Sequence, residues 1–471
     1  MPLRSMIGHE ARQMVVDRTL AAVVAVLATV VGYGVYNGAS WASFQRAVLR
    51  EVSREEAARL DSLRARLGSA SDSRGVPADQ IGMSLGTKEA VMPPGPLSSL
   101  VIGQSDLYPY HSRVTTSGRQ SGTGDDEIEN PTHLLSGRFD LGFVVVSLYP
   151  LVILALSYNM LSAEKEQGTL VLLLSQPVLL RTLLLAKVLA RGVAVLGLAV
   201  AVSLIGFTLA RGPTDADGLV RLSLWIAIVS AYGTFWFALA VAVNALGRGS
   251  ATNALALAGI WLLVVGVIPA LANVAVRASY PVPSRVELIQ SLREASDRAQ
   301  AEGPQLGAKF LDAHPELVQG HDEANEFAVQ SLAVQDATEA GVAGVLSRFE
   351  LQLVRQQALV DKFRFASPAI ATLEALQDAA GTGAARYRHF LDQVEDFHGR
   401  WRDYFRPRIL RREPIRTEDL GQLPSFSFRE EPLAAVMARV GVGLLGLIVP
   451  TLIVGLLGRT AIRRFSVVGQ G

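Results

Sequence analysis

The sequence predicts an all-α polytopic membrane protein with six transmembrane helices and two mostly helical extracytoplasmic insertions. Three observations lead there. Half of the 471 residues are hydrophobic and only 18% are charged, where soluble proteins carry about 25%. The apolar residues gather into six runs free of Asp, Glu, Lys and Arg, at residues 19–45, 141–163, 192–210, 222–247, 249–276 and 440–458. Each is close to the ~20 residues that cross a bilayer as a helix. Basic residues then orient the runs. With the N-terminus inside, the flanking segments on that side hold eleven: Arg4, Arg12, Arg18, Lys165, Arg181, Lys187, Arg191, Arg248, Arg459, Arg463 and Arg464. The one short loop opposite holds two, Arg211 and Arg221. A net charge of +1 gives no basic excess for nucleic acid, and the apolar content is far above that of a disordered chain.

The elements follow in order. Residues 1–18 are of mixed polarity and form either a short cytoplasmic interfacial helix or an irregular tail. The first helix, 19–45, is about twice a signal-peptide core and ends without a small-x-small cleavage site, so it is expected to anchor. Insertion one, 46–138, begins helically. Phe44, Val48, Val52, Leu60, Leu63 and Leu67 recur at three- or four-residue steps among charges. It continues through Gly/Ser/Pro-rich stretches, GSASDSRGVPADQ and VMPPGPLSSL, that predict loop, and ends in a flexible connection, SGRQSGTGDDEIENPTH.

The second helix is 139–162, followed by a cytoplasmic loop at 163–180. Helices three, four and five are 181–210, 219–247 and 250–276. Insertion two, 277–433, carries the stripes Val286, Ile289, Leu292, Ala295 and Leu346, Phe349, Leu353, Leu359, with breakers at Gly303-Pro304, His314-Pro315, Ser367-Pro368 and Arg406-Pro407. It predicts a solvated helical domain. Helix six is 434–458, and 459–471 is a cytoplasmic tail.

Chemistry is sparse. Cys is absent, which removes disulfides and thiolate sites. A phosphate-binding P-loop needs Gly directly before Lys. The five lysines, Lys88, Lys165, Lys187, Lys309 and Lys362, follow Thr, Glu, Ala, Ala and Asp. ATP-derived energy must therefore come from another chain, and no cofactor is expected to bind directly. The spelling G-x-S-x-G occurs at Gly82 to Gly86, yet its flanks predict loop rather than the strand and helix that a nucleophile elbow requires. A hydrolase built on Ser84 needs triad partners beside it.

The seven histidines show no i, i+4 pair, so no metal site is assigned. Residues 397–416 hold seven Arg among Phe397, Trp401, Tyr404 and Phe405. They either lie against lipid headgroups or place the aromatics in a core with the arginines paired to acids. No charge falls deep in a run. Arg439 is near the outer end of helix six, in reach of snorkelling. The uncharged polar residues Ser147, Tyr149, Asn159, Tyr232 and Asn273 are candidate pathway residues, and Pro150, Pro269 and Pro450 are expected to kink their helices.

The loop at 159–192 is the most informative segment. A short charged helix meets Gly168, then an apolar helix, then the break Ser175-Gln176-Pro177. Its residues Glu164, Glu166, Gly168, Thr169, Leu170, Leu174, Ser175, Pro177 and Lys187 resemble ABC-2 type permeases, the membrane subunits of a class of ATP-binding cassette exporters. The stretches IGQSDLYPYHSRVT, YPVPSR, SPAIATLEALQDAAGTG and RYRHFLDQVEDFHGRWRDYFRP are similar to a bacterial subgroup with a large extracytoplasmic domain of unknown function. The compact permeases of that family lack insertions of this size.

The resemblance implies a coupling helix that sits in a groove of a cytoplasmic ATPase subunit, with Glu164, Lys165, Glu166, Gln167, Gly168 and Thr169 in that role. It implies a second permease copy or a sister permease as partner and a bacterial inner membrane, in which the six runs meet membrane lipid and both termini lie inside; a periplasmic partner is expected for the mechanotransmitting alternative. The competing expectation is an envelope mechanotransmitter or scaffold that moves no substrate.

Overall fold

The computed structural model describes residues 6–8, 10, 12, 18–68, 75–116, 118–121, 138–175, 179–209, 214–281, 285–313 and 323–465. Most of the interfacial segment, the connection at 122–137, Gln176-Pro177, Arg211, His314-Pro315, His321 and the end of the tail lie outside them. Among the described residues the chain is mostly helical, and six helices are long and apolar enough to cross a membrane.

Each charge-free run falls mainly in one of them. They are α1 (Arg18–Gly68), α2 (Leu141–Phe143, Val144–Leu148 and Tyr149–Ser157 in succession), α5 (Leu180–Leu209), α6 (Ala216–Asn244), α7 (Ser250–Trp261, Leu262–Val267 and Ile268–Ser279 in succession) and α13 (Leu433–Arg463). Between α2 and α5 lie two short helices, α3 (Ser162–Glu166) and α4 (Thr169–Leu174). After α7 come α8 (Arg285–Ala301), α9 (Gly303–Ala313), α10 (Glu323–Phe363), α11 (Pro368–Ala380) and α12 (Ala384–Arg411). The end of the bundle holding Arg18 and Arg463 is the terminal end, and the opposite one is the insertion end.

The first helix does not stop at the expected membrane boundary. With no proline to break it, α1 runs for 51 residues, about 76 Å, and so carries the first run and the start of insertion one as a single rod. Gly34, Gly38 and Ala42 recur every four residues on one of its faces. A β carbon at Gly34 would lie 3.0 Å from the backbone of Asp140, and one at Gly38 would lie 2.2 Å from the Ser99 carbonyl oxygen. Glycine at these two positions lets the backbone before α2 and a turn of insertion one approach the helix closely.

At the centre is α6. Trp225, Ile228, Tyr232, Trp236 and Ala240 recur at three- or four-residue steps along it and are fully buried, against α2, α5 and α13.

Two prolines act otherwise than as simple kinks. Pro150 and Pro269 each follow a π-helical turn, Val144–Leu148 and Leu262–Val267. A proline brings no N–H and so leaves a carbonyl about one turn earlier without its helical donor. Side chains from other helices supply donors there. Tyr232 OH donates to Val146 O at 2.9 Å, and Ser367 Oγ to Val264 O at 2.6 Å. Trp261 Nε1 donates to Ser147 O at 3.0 Å, joining the two turns. Pro450 sits inside α13, which continues through it.

Helix α11 was expected in the outer domain, but it packs into the bundle between α6 and α13. Ala371 and Ala375 fill the spaces left by Gly446 and Gly443 of α13. Arg439, near the outer end of α13, bridges Asp378 at 3.1 Å and Glu431 at 2.7 Å. Arg221 is buried and reaches Asp217 at 2.8 Å and the Ala379 carbonyl at 3.4 Å.

The insertions form one outer core. α8 and α9 lie along the 41-residue α10. Insertion one contributes a small sheet that loop signals had concealed: β1 (Lys88–Val91), β2 (His111–Thr115) and β3 (Gly118–Ser121), antiparallel in that order. Phe390, Val394, Phe397, Trp401, Phe405 and Ile409 form the buried stripe of α12 and meet Leu63 and Leu67 of α1. The core reading of residues 397–416 is therefore the observed one. Arg402 pairs with Asp336 and Glu339, and Arg406 with Asp336, at 2.8–3.0 Å.

Buried Glu89 of β1 accepts from Arg113 at 2.8 Å and from Arg59 of α1 at 3.1 Å, with His111 Nδ1 3.6 Å away. Burial alone would raise this carboxyl. The neighbouring His111 imidazole, the Arg113 hydrogen bond and the charges of Arg113 and Arg59 outweigh it and hold it at about 2.

Two predictions follow from this packing. Gly38→Ala should cost about 1–3 kcal/mol of stability through overpacking. Gly32→Ala, with nothing within 4 Å of the added carbon, should not lower the melting temperature in detergent. For Glu89, a value held below the unfolded 4.5 means stability that is present above pH 4.5 and lost as pH falls toward 2. Glu89→Gln should melt lower than wild type at pH 7, and the gap should shrink across that window.

Candidate coupling site

At the terminal end, α2 finishes at Ser157 and the chain turns through residues 158–161 into α3. Gly168 then reverses direction at φ +72°, a left-handed conformation that favours glycine, and α4 begins. Thr169 Oγ1 donates to Glu164 O at 3.2 Å and satisfies a carbonyl of the last turn of α3.

The turn between α6 and α7 clamps this loop at three points. Asn244, buried at the end of α6, accepts from Leu161 N at 3.2 Å through Oδ1 and donates to Ser157 O and Ala240 O, both at 2.9 Å. Lys165 Nζ donates to Gly247 O at 3.0 Å and lies 5.7 Å from the centre of the Phe465 ring. Glu166 accepts from Ser250 N at 2.6 Å and from Ser250 Oγ at 2.9 Å. A carboxylate cannot donate, so the Ser250 proton goes to Glu166 and Ser162 Oγ, 2.9 Å away, donates to Ser250. Gly249 precedes α7 without a side-chain cap, and Glu166 supplies the negative charge that a helix N-terminus favours.

A buried ion cluster holds the other side. Lys187 of α5 is 2.6 Å from Glu164 and 3.4 Å from Glu10, and only 6% of its side chain is exposed. Arg191, one turn further, donates to the Leu156 carbonyl.

Of the six candidate coupling residues, Glu164, Lys165, Glu166 and Thr169 are thus occupied within the chain. Gln167 and Gly168 form the exposed tip, followed by Val171 and Leu172, which are 55% and 69% exposed.

The candidate pathway residues divide. Ser147, Tyr149 and Tyr232 meet around the π turn of α2, where the Tyr149 ring and hydroxyl lie against Gly233. Asn159 is half-buried in the 158–161 turn, its carbonyl accepting from Ala163 N at 3.2 Å. Asn273 is exposed on α7 and does not join the others.

Ser84 is exposed in a π turn, and its hydroxyl donates to Gln80 O at 2.9 Å. The flanking glycines have packing reasons: a β carbon at Gly82 would meet Thr116 and Phe405, and one at Gly86 would meet Ile81. The neighbouring cavity, about 450 Å³, is lined by Asp79, Met83 and Thr116 but not by Ser84.

Asn244, Ser250, Trp261 and Ser367 were not among the expected site residues. For Asn244 and Ser250 the signal was present, since both flank the charged turn Gly247-Arg248-Gly249. For Trp261 and Ser367 there was none, because their acceptors are backbone carbonyls in other helices.

A family model described as a domain of unknown function, DUF3526, matches residues 285–429, which run from α8 to just before α13. No curated protein matches the chain.

Lys187 offers a direct check on the cluster. Lys187→Met leaves Glu164 and Glu10 facing each other without their cation. It should lower stability in detergent by about 3–5 kcal/mol, and Glu164→Gln should lower it less.

Proposed function

We propose that the chain is the membrane permease subunit of an ABC-2 type ATP-binding cassette system. In this reading a separate ATPase subunit docks on the loop at 162–172, and two permease copies, or a permease and its sister, share the assembly. The chain sits in a bacterial inner membrane with both termini in the cytoplasm. ATP is bound and spent by the partner.

The observation that carries the reading is the loop itself. A short helix ends at a left-handed glycine, presents Gln167 and Gly168 outward, and is tied by Asn244, Lys165, Glu166 and Lys187 to four of the membrane helices. A partner that displaces this tip displaces α2, α5, α6 and α7 together. The position of Lys165 and Lys187 among the basic residues of this end supports a cytoplasmic placement.

The movement serves either substrate export or rearrangement of the ectodomain. The second use, close to mechanotransmission, is favoured by α11, which belongs to insertion two and packs directly on α6 and α13.

Affinity purification of the full chain in mild detergent tests the proposal. A nucleotide-hydrolysing subunit should co-purify, and Gln167→Arg should lower its recovery about tenfold, equivalent to about 1.4 kcal/mol of docking energy. Recovery of no such subunit, or recovery indifferent to Gln167, sinks it. A periplasmic protein recovered alongside the ATPase would select mechanotransmission.

A further inference from the structure

The N-terminus and the middle of α7 are each held by a side chain from another segment of the chain. Its N-terminus has no cap of its own: Glu166 of the coupling loop binds both the amide and the hydroxyl of Ser250. A β carbon at Gly249 would lie 3.2 Å from Glu166 Oε1, so glycine there allows the carboxylate to approach. Fourteen residues on, about 21 Å along the axis, Val264 O accepts from Ser367 Oγ at 2.6 Å. The same hydroxyl oxygen accepts from Ala369 N at 3.1 Å and caps α11. Ser367 is fully buried. One atom therefore joins the middle of α7 to the first turn of the insertion helix.

Between these points α7 is little embedded. Only 6% of its apolar window is buried, against 50% for α6 and 56% for α2. Asn253 and Leu257 are buried and Trp261 and Val264 pack on the core, but most of its other side chains face outward, while the hydrogen-bond ladder of the helix resists compression along its axis. The third tie, Trp261 Nε1 to Ser147 O at 3.0 Å, meets α2 at its own π turn, and the π turn of α7 is what presents the Val264 carbonyl to Ser367.

We infer that α7 is the rod that carries displacement of the coupling loop to α11, with Glu166, Trp261 and Ser367 as its positioning residues. The source of the push rests on the proposed function. The linkage does not, because it lies wholly within this chain.

Linkage of this kind is reciprocal, and hydrogen–deuterium exchange on the full-length protein in lipid nanodiscs reads it without any ATPase. Glu166→Ala should raise exchange at residues 371–376 of α11, and Ser367→Ala should raise it at residues 253–257 of α7, each about fivefold. Ser367→Thr, which keeps the hydroxyl, should restore the wild-type rate at 253–257. Unchanged exchange in α6 certifies that each variant is folded. The inference is overturned if Glu166→Ala acts only around residues 162–168 and 250–254, or if Ser367→Ala leaves 253–257 at the wild-type rate. Failure to recover an ATPase by affinity purification would not alter either result.

Discussion

A backbone inside a bilayer finds no water, so a carbonyl that loses its helical partner must find another donor in the protein. Much of this architecture depends on that constraint. Pro150 and Pro269 interrupt two hydrogen-bond ladders in the apolar part of the bundle. The repairs come from Tyr232 on α6 and Ser367 ahead of α11, while Trp261 on α7 joins the two π turns. Each such bond fixes one helix against another at a defined height and rotation. The prolines thus convert local defects into the lateral connections of the bundle. They also explain why α11 enters it, since Ser367 must reach the Val264 carbonyl.

The polar contacts at the two ends have a different character. At the terminal end, Lys187, Glu164 and Glu10 form a nearly buried cluster, and Glu166 caps a helix that is not its own. At the insertion end, Asp140 accepts from the amides of Ile102, Gly103 and Phe143, and Arg439 bridges Asp378 and Glu431. These contacts gather separate chain segments at each end. In the middle of the bundle apolar packing around α6 is supplemented by a few bonds to backbone carbonyls. α7 joins that core through Leu257, Trp261 and Val264 and leaves most of its other side chains outside it.

The six membrane helices were legible in the sequence because absence of charge over some twenty residues has few other causes. The helical start of insertion one and the breakers of insertion two were legible for similar reasons of period and punctuation. The sheet was not. Its strands are four or five residues long and sit among the Gly and Pro that also mark loops. The placement of α11 was hidden because PAIATLEALQDAA has the composition of an ordinary outer helix, and only the glycines of a distant segment, Gly443 and Gly446, make room for it. For the site, the spelling around Glu164 and Gly168 located the loop, yet not which of its side chains stay free. Glu164 and Glu166 look like surface acids until Lys187 and Ser250 are brought beside them by folding.

The unbroken course of α1 has a consequence for length changes. Gly34 and Gly38 fix its rotation within the bundle, and Arg59, Leu63 and Leu67 fix its rotation in the outer core. No joint lies between them. One residue added near residue 50 would turn the outer contacts by about 100° and lift them by about 1.5 Å, taking Arg59 away from Glu89. Seven residues would return the face to within about 20° but raise it by about 10 Å. The spacing between membrane and outer core is therefore set in units of helical phase, and a change of length that keeps these contacts has to come in whole turns matched in α10 and α12.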